Sequence, residues 1–163
     1  IPLRLVGSEM CIRDRPGAGD FAMFGQLTQL VGFDPTPRAI AHKLSPRTVA
    51  WTSLMEELSG LEPGDGDWNN PDDMPETLGA ILSEAGRVYV PALLANSRAV
   101  KAGEKTWEAE IDGARWTQQT FPYQAKCLMW INEQYRVLSV EDRARVDRIL
   151  AGTGCEALLL GNV

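Results

Sequence analysis

The residues able to do chemistry are few. His42 is the only histidine in 163 residues, so a Ser-His-Asp or Cys-His arrangement would have to use it. It lies between Ala41 and Lys43 on a short stretch where a surface histidine is the expected outcome. Three cysteines, Cys11, Cys127 and Cys155, are too scattered for a disulfide framework or a CxxC metal site. Cys127 falls on an apolar helical stripe and is expected to be a buried structural thiol. Cys155 follows Gly152-Thr153-Gly154, with no cationic cluster or helix N-terminus placed to lower its pKa. That glycine pair is not a dinucleotide fingerprint, which needs a strand before it and a helix after it.

The densest set of hard ligands is acidic. Asp65, Asp67, Asn69, Asp73 and Glu76 occupy positions 1, 3, 5, 9 and 12 of a calcium-loop template. The match fails where the backbone is most constrained, because Asn70 stands where the template needs glycine and Pro71 follows it. The stronger reading is helix capping: Asp73 as N-cap, Glu76 closing the box and Pro75 in the first turn. Trp51, Trp107, Trp116, Trp130, Phe21 and Phe24 could line an apolar pocket, but most are expected in the core. No catalytic or metal-ligating residue emerges, and the sequence names no cofactor-binding residue.

Helices must position most of these groups. Phe21, Phe24, Leu27, Leu30 and Val31 recur at three- and four-residue spacing, which predicts a helix with one buried face, ended by Gly32. Asp34-Pro35-Thr36-Pro37 predicts a turn, then a short helix near residues 38–43. Ser45-Pro46 reads as N-cap and first-turn proline of a helix carrying Val49, Leu54 and Leu58, with Gly60 ending it. Leu78, Ile81, Leu82, Ala85, Val88, Tyr89 and Leu93 share one face of a longer helix that Pro91 should kink and Gly103 should end. The period then changes to two: Trp107, Ala109 and Ile111 alternate with acids, and Asp112-Gly113 supplies a hairpin turn into residues 114–119. Tyr123, Cys127, Trp130, Ile131 and Leu138 restore helical spacing after Pro122, and a capping box at residues 139–142 opens a last helix ending before Gly152.

Composition sets the outer bounds. Sixteen basic against 22 acidic residues give a net charge of −6, which argues against a nucleic-acid surface. The acidity is local: residues 48–86 hold nine acids and no Lys or Arg. No uninterrupted apolar run approaches the ~18 residues of a membrane helix, so no membrane partner is expected, and the sparse cysteines suit a reducing cytoplasm. The chain opens on Ile1, and residues 8–15 resemble translated adapter sequence found at the ends of metagenomic assemblies. Residues 1–15 are therefore expected to be a non-native leader, leaving 16–163 as one helical domain with an extended tail.

Residues 15–27, Arg-Pro-Gly-Ala-Gly-Asp-Phe-Ala-Met-Phe-Gly-Gln-Leu, resemble the stretch that opens the sixth helix of glutathione transferases. The likeness continues through Asp34-Pro35-Thr36-Pro37 and through Ser45-Pro46-Arg47-Thr48-Val49-Ala50-Trp51, which is similar to that family's "P-x-v-x-x-W" helix. The resemblance implies a fold: a mainly α, glutathione transferase C-terminal-like helical bundle, here with one β-hairpin near 105–119. It implies that Asp20 is structural, the acid of a Ser/Thr-x-x-Asp capping box in which Gly17 replaces the Ser/Thr. It also implies that glutathione is a co-substrate of the parent protein, held by a thioredoxin-like N-terminal domain that this sequence does not encode. The chain itself would need no cofactor. It would help shape a site for a small apolar electrophile, a homodimer is open to the parent, and the chain alone would be inactive. The alternative is a non-catalytic helical binding or scaffold module.

Overall fold

The computed structural model describes residues 18–58 and 70–159. The leader at 1–15, Gly17, Gly60 and the loop residues Asp65, Asp67 and Asn69 lie outside the described residues. The fold is mainly helical with one two-stranded antiparallel sheet. The chain divides into two compact units, residues 1–75 and 76–163.

Among the described residues the first unit holds three helices. α1 (Ala18–Leu27) runs on into a π-helical stretch, Thr28–Phe33, closed by a bond from the Asp34 amide to the Gln29 carbonyl at 3.0 Å. Gly32 therefore does not end the helix. It keeps a negative φ, and the stop comes at Asp34, whose side chain accepts from the Thr36 amide at 3.2 Å. α2 (Pro35–Leu44) starts earlier than the predicted 38–43, because its prolines stand in the first turn, where no N–H is needed. The first helical bond is Arg38 N–H to Asp34 O. α3 (Pro46–Met55) starts at Ser45-Pro46 as expected, although the Ser45 hydroxyl bonds Thr48 Oγ1 at 2.6 Å rather than a backbone amide. It stops at Met55, short of Gly60. It buries Trp51, Thr52 and Met55, not Leu54, because the Thr52 hydroxyl bonds back to the Thr48 carbonyl and needs no water. The predicted apolar stripe of α1 is also largely open: Val31 is buried, Phe24 half-buried, and Phe21 and Leu30 exposed.

The second unit is built around one long helical stretch. α4 (Glu76–Glu84) passes through a π-helical stretch, Ala85–Tyr89, into α5 (Val90–Ala102). Asp73 lies three residues before α4 and belongs to a turn closed by its own amide on the Asn70 carbonyl, so it is not the predicted N-cap. Glu76 is the first helical residue. A π-turn inserts one extra residue and rotates everything after it by about 100° relative to the preceding turns. The uninterrupted period expected from Leu78 would bring Tyr89 inward. Instead Val90, Leu93 and Ser97 are buried, while Val88 and Tyr89 are exposed. The effect expected of Pro91 thus takes the form of a π-turn just upstream, which leaves Pro91 in the first turn of α5. Gly103, at φ 70°, ends α5 as predicted, with the Glu104 amide reaching the Ala99 carbonyl at 2.9 Å. By length and composition alone the 27-residue stretch Glu76–Ala102 is apolar enough to cross a membrane, although Glu84 and Arg87 interrupt its apolar run.

β1 (Thr106–Ile111) and β2 (Ala114–Gln119) form the expected hairpin, with Asp112 and Gly113 both at positive φ in its two-residue turn. Trp107 and Ile111 of β1 pack on Ala95 and Ala99 of α5, whose small side chains let the sheet approach. α6 (Pro122–Arg136) also packs on α5, and α7 (Val140–Leu150) touches α4. The Ser139 hydroxyl accepts from the Asp142 amide at 3.0 Å, so half of the predicted box is made through the backbone. The Asp142 carboxylate takes the Ser139 hydroxyl instead.

A 3₁₀ turn, Cys155–Leu158, closes the unit, and the Thr153-Gly154 backbone just before it meets the π-helical stretch at Gly86. A Cβ at Gly86 would stand 1.9 Å from the Thr153 carbonyl oxygen and 2.9 Å from the Gly154 Cα, both backbone atoms. Gly86→Ala must push the two backbones apart. It is expected to destabilise the protein by about 3 kcal/mol or more, read from the midpoint of urea unfolding.

Candidate functional site

The sequence-level candidates do not converge. Asp20 is 4% exposed in the first turn of α1, beside exposed Phe21 and Ala22. His42 is exposed on α2, as expected. Cys155 is buried, donates its thiol hydrogen to the Leu82 carbonyl at 3.1 Å, and burial pushes that thiol up, away from nucleophilic use. Cys127 is half-buried rather than buried. Among the described residues no three His, Cys, Asp or Glu side chains are grouped to hold a metal ion.

What the fold does assemble is an aromatic surface at the start of α6. The helix buries Leu128 and Asn132, one position round from the predicted Tyr123-Cys127-Trp130 stripe. The cause is Asn132. Its side-chain amide donates to the Leu128 carbonyl at 3.0 Å and the Leu158 carbonyl at 2.9 Å, so a polar residue satisfied internally takes the inner position. Tyr123, Met129, Trp130 and Ile131 are thereby left exposed. Of the expected core aromatics only Trp51 and Trp107 are buried, whereas Trp116, Trp130 and Phe21 are exposed.

On this surface the rings of Phe121 and Tyr123 lie 6.3 Å apart, and Tyr123 meets Trp130 edge-on at 6.1 Å. Lys126 stands over Trp130 with Nζ 5.0 Å from the ring centroid. These are favourable aromatic and cation–π geometries. Together they make an amphipathic platform able to stack a flat apolar group beside one positive charge. Tyr89 lies near Cys127, and burial raises its phenol above the ordinary value, with the Cys127 thiol adding to the shift. No family model, curated protein or solved structure matches this chain.

Asn96 holds this platform in place and was not singled out from the sequence. Fully buried on α5, it takes the Phe121 amide at 2.7 Å on Oδ1 and donates Nδ2–H to the Phe121 carbonyl at 2.9 Å. The side-chain amide thus completes both main-chain bonds of the residue that precedes α6. At the opposite end of the hairpin, Arg87 from the π-helical stretch pairs with Glu84 at 2.7 Å and with Asp112 in the turn. Those contacts hold the Arg87 guanidinium above its ordinary value, first through Glu84, and the bond from Arg87 holds the Asp112 carboxyl below the usual carboxylate range.

Two predictions follow from these contacts. Asn96→Ala takes away the partner of the Phe121 amide, while the Phe121 carbonyl keeps its bond from the Gln124 amide at 3.1 Å, and is expected to cost about 1–3 kcal/mol in chemical unfolding. Because the Asp112 carboxyl is depressed in the folded state, its contribution is present above the ordinary carboxylate pKa and is lost as pH falls through the depressed one. Asp112→Asn, which tolerates the positive φ, should melt slightly below wild type at pH 7. The gap should close in acid, as measured by thermal unfolding across pH 2–7.

Proposed function

We propose that this chain is the electrophile-side helical portion of a glutathione transferase-like protein, acting in a reducing cytoplasm alongside a thioredoxin-like domain that binds glutathione. The observation that carries the reading is the burial of Asp20. In the stretch that residues 15–27 resemble, the acid ties down the buried start of a helix, and here the carboxylate at that position is 4% exposed while its neighbours face solvent. Buried Trp51 occupies the tryptophan position of the second resembling segment and supports the same reading.

On this reading the chemistry is attack of a glutathione thiolate on an apolar electrophile. The thiolate must be generated by a lowered thiol pKa, the task of the other domain. This chain's contribution is apolar and aromatic surface, which holds the electrophile and keeps water from the reacting sulfur. Neither of its described cysteines is placed to act as the nucleophile: Cys155 is bonded to a carbonyl and raised by burial, and Cys127 is half-buried on α6.

A second reading, a non-catalytic helical binding module, is favoured by the exposed Phe121, Tyr123 and Trp130 platform. One experiment separates the two. The reading frame upstream of the Arg15 codon is recovered, and glutathione conjugation to an aryl halide is measured with the parent protein and with the 163-residue chain. Turnover by the parent and none by the chain is the expected result. An upstream frame without a thioredoxin-like domain, or conjugation by the chain alone, overturns the transferase reading.

A further inference from the structure

The outer edge of the hairpin carries main-chain groups with no partner in the hairpin. In a two-residue hairpin the residues flanking the turn, Ile111 and Ala114, form a hydrogen-bonded pair, and bonded and non-bonded pairs then alternate. Ala114, Trp116 and Gln118 therefore spend their N–H and C=O groups on β1, and the bond from the Thr120 amide to the Lys105 carbonyl at 3.0 Å continues that phase. Arg115, Thr117 and Gln119 direct theirs away from the hairpin. All six residues of β2 are exposed, and the strand holds no proline and no bulge to blunt a free edge; its one charged residue, Arg115, is paired with Glu108 across its own hairpin at 2.5 Å.

We propose that this edge pairs with the β2 edge of a second copy of the chain, in antiparallel register centred on Thr117, to give a four-stranded sheet. The register follows from the hydrogen-bond phase. A two-fold axis at Thr117 sets Thr117 opposite the partner's Thr117 and Arg115 opposite the partner's Gln119, so that all three outward residues of each strand meet outward residues. An axis at Trp116 or Gln118 mates only two of the three, and an axis between residues sets outward groups against spent ones. An axis at Arg115 opposes two guanidiniums. At Thr117 no like charges face each other, a Thr–Thr pair lies on the dyad, and each Arg115 gains an amide side chain as neighbour. The strand is thus complementary to itself in main-chain bonding and brings no like charges together, the requirement of an isologous contact.

One strand edge is a small interface, so the association is reversible and depends on concentration. With a net charge of −6 on each copy, it strengthens as salt screens the repulsion. The proposal does not depend on the transferase reading, because it rests on the hairpin alone.

The test is sedimentation velocity of the full chain over a concentration series, with circular dichroism and tryptophan fluorescence as controls for folding. Wild type is expected to pass from monomer to dimer. Thr117→Pro removes an N–H that the hairpin does not use and is expected to remain monomeric at every concentration. Gln119→Glu places a carboxylate opposite the partner's Arg115 and tightens the dimer, and Gln119→Arg loosens it, each by about 5-fold. These two side-chain variants decide the register even where the proline variant misfolds. A chain that stays monomeric throughout overturns the proposal. So does a dimer whose affinity is the same in Gln119→Glu and Gln119→Arg, or one that a folded Thr117→Pro variant retains.

Discussion

A side-chain amide doing the work of main chain governs the second unit. Asn96 is fully enclosed on α5, and burying an amide without partners costs about 1–3 kcal/mol by mutational measures. Its partners are the two main-chain groups of Phe121, where the chain leaves the hairpin and turns into α6. The arrangement fixes three elements at one point: α5 carries the amide, the hairpin ends there, and α6 begins there with Pro122, which has no N–H to offer. Asn132 repeats the device on α6, where its amide gathers the Leu128 and Leu158 carbonyls and so ties down the C-terminal turn. Two asparagines, each satisfied inside, decide where α6 and the closing turn lie.

The other constraint is backbone contact at Gly86. The π-turn and the closing segment meet with no side chain between them, which brings Cys155 under the Leu82 carbonyl. The extra residue of the π-turn puts Val90 and Leu93 inward, against the rest of the unit, and Tyr89 outward. The same stretch points Arg87 at the hairpin turn, where it pairs with Asp112. One irregular turn therefore sets the register of α5, leaves room for the closing segment and anchors the tip of the sheet.

Local signals were readable in the sequence wherever their chemistry is local. Asp112-Gly113 placed the hairpin, Gly103 placed the end of α5, and Ser45-Pro46 placed the start of α3, because turns and caps depend on a few adjacent residues. Facing was harder to read. The stripe on α6 came out one position round because Asn132 reads as a surface residue until its two carbonyl partners are known. The face after Tyr89 shifted because a π-turn has no sequence period of its own. Asn96 was invisible for the same reason, since its partner at Phe121 is distant in sequence and is a main-chain group. The aromatic platform has no sequence signature of its own, because aromatic residues at helical spacing suggest a core, and only the rotation of α6 leaves Tyr123 and Trp130 outside.

The first unit shows the opposite balance. Phe21, Leu30, Phe33, Ile40, Leu44 and Leu54 are all exposed, while Asp20 and Thr52 are buried. Its helices are secured by local devices: the Asp34 cap, prolines in first turns, and threonine hydroxyls at Thr28 and Thr52 bonding back one turn. The cap and the first-turn prolines fix where a helix starts, the cap at about 1 kcal/mol, while the threonine back-bonds satisfy the hydroxyls without adding to helix stability. These devices do not remove apolar surface from water, which is the larger driving force for packing helices together. A set of helices held by local devices, with apolar faces left in the open, has the character of a packing layer rather than of a closed core.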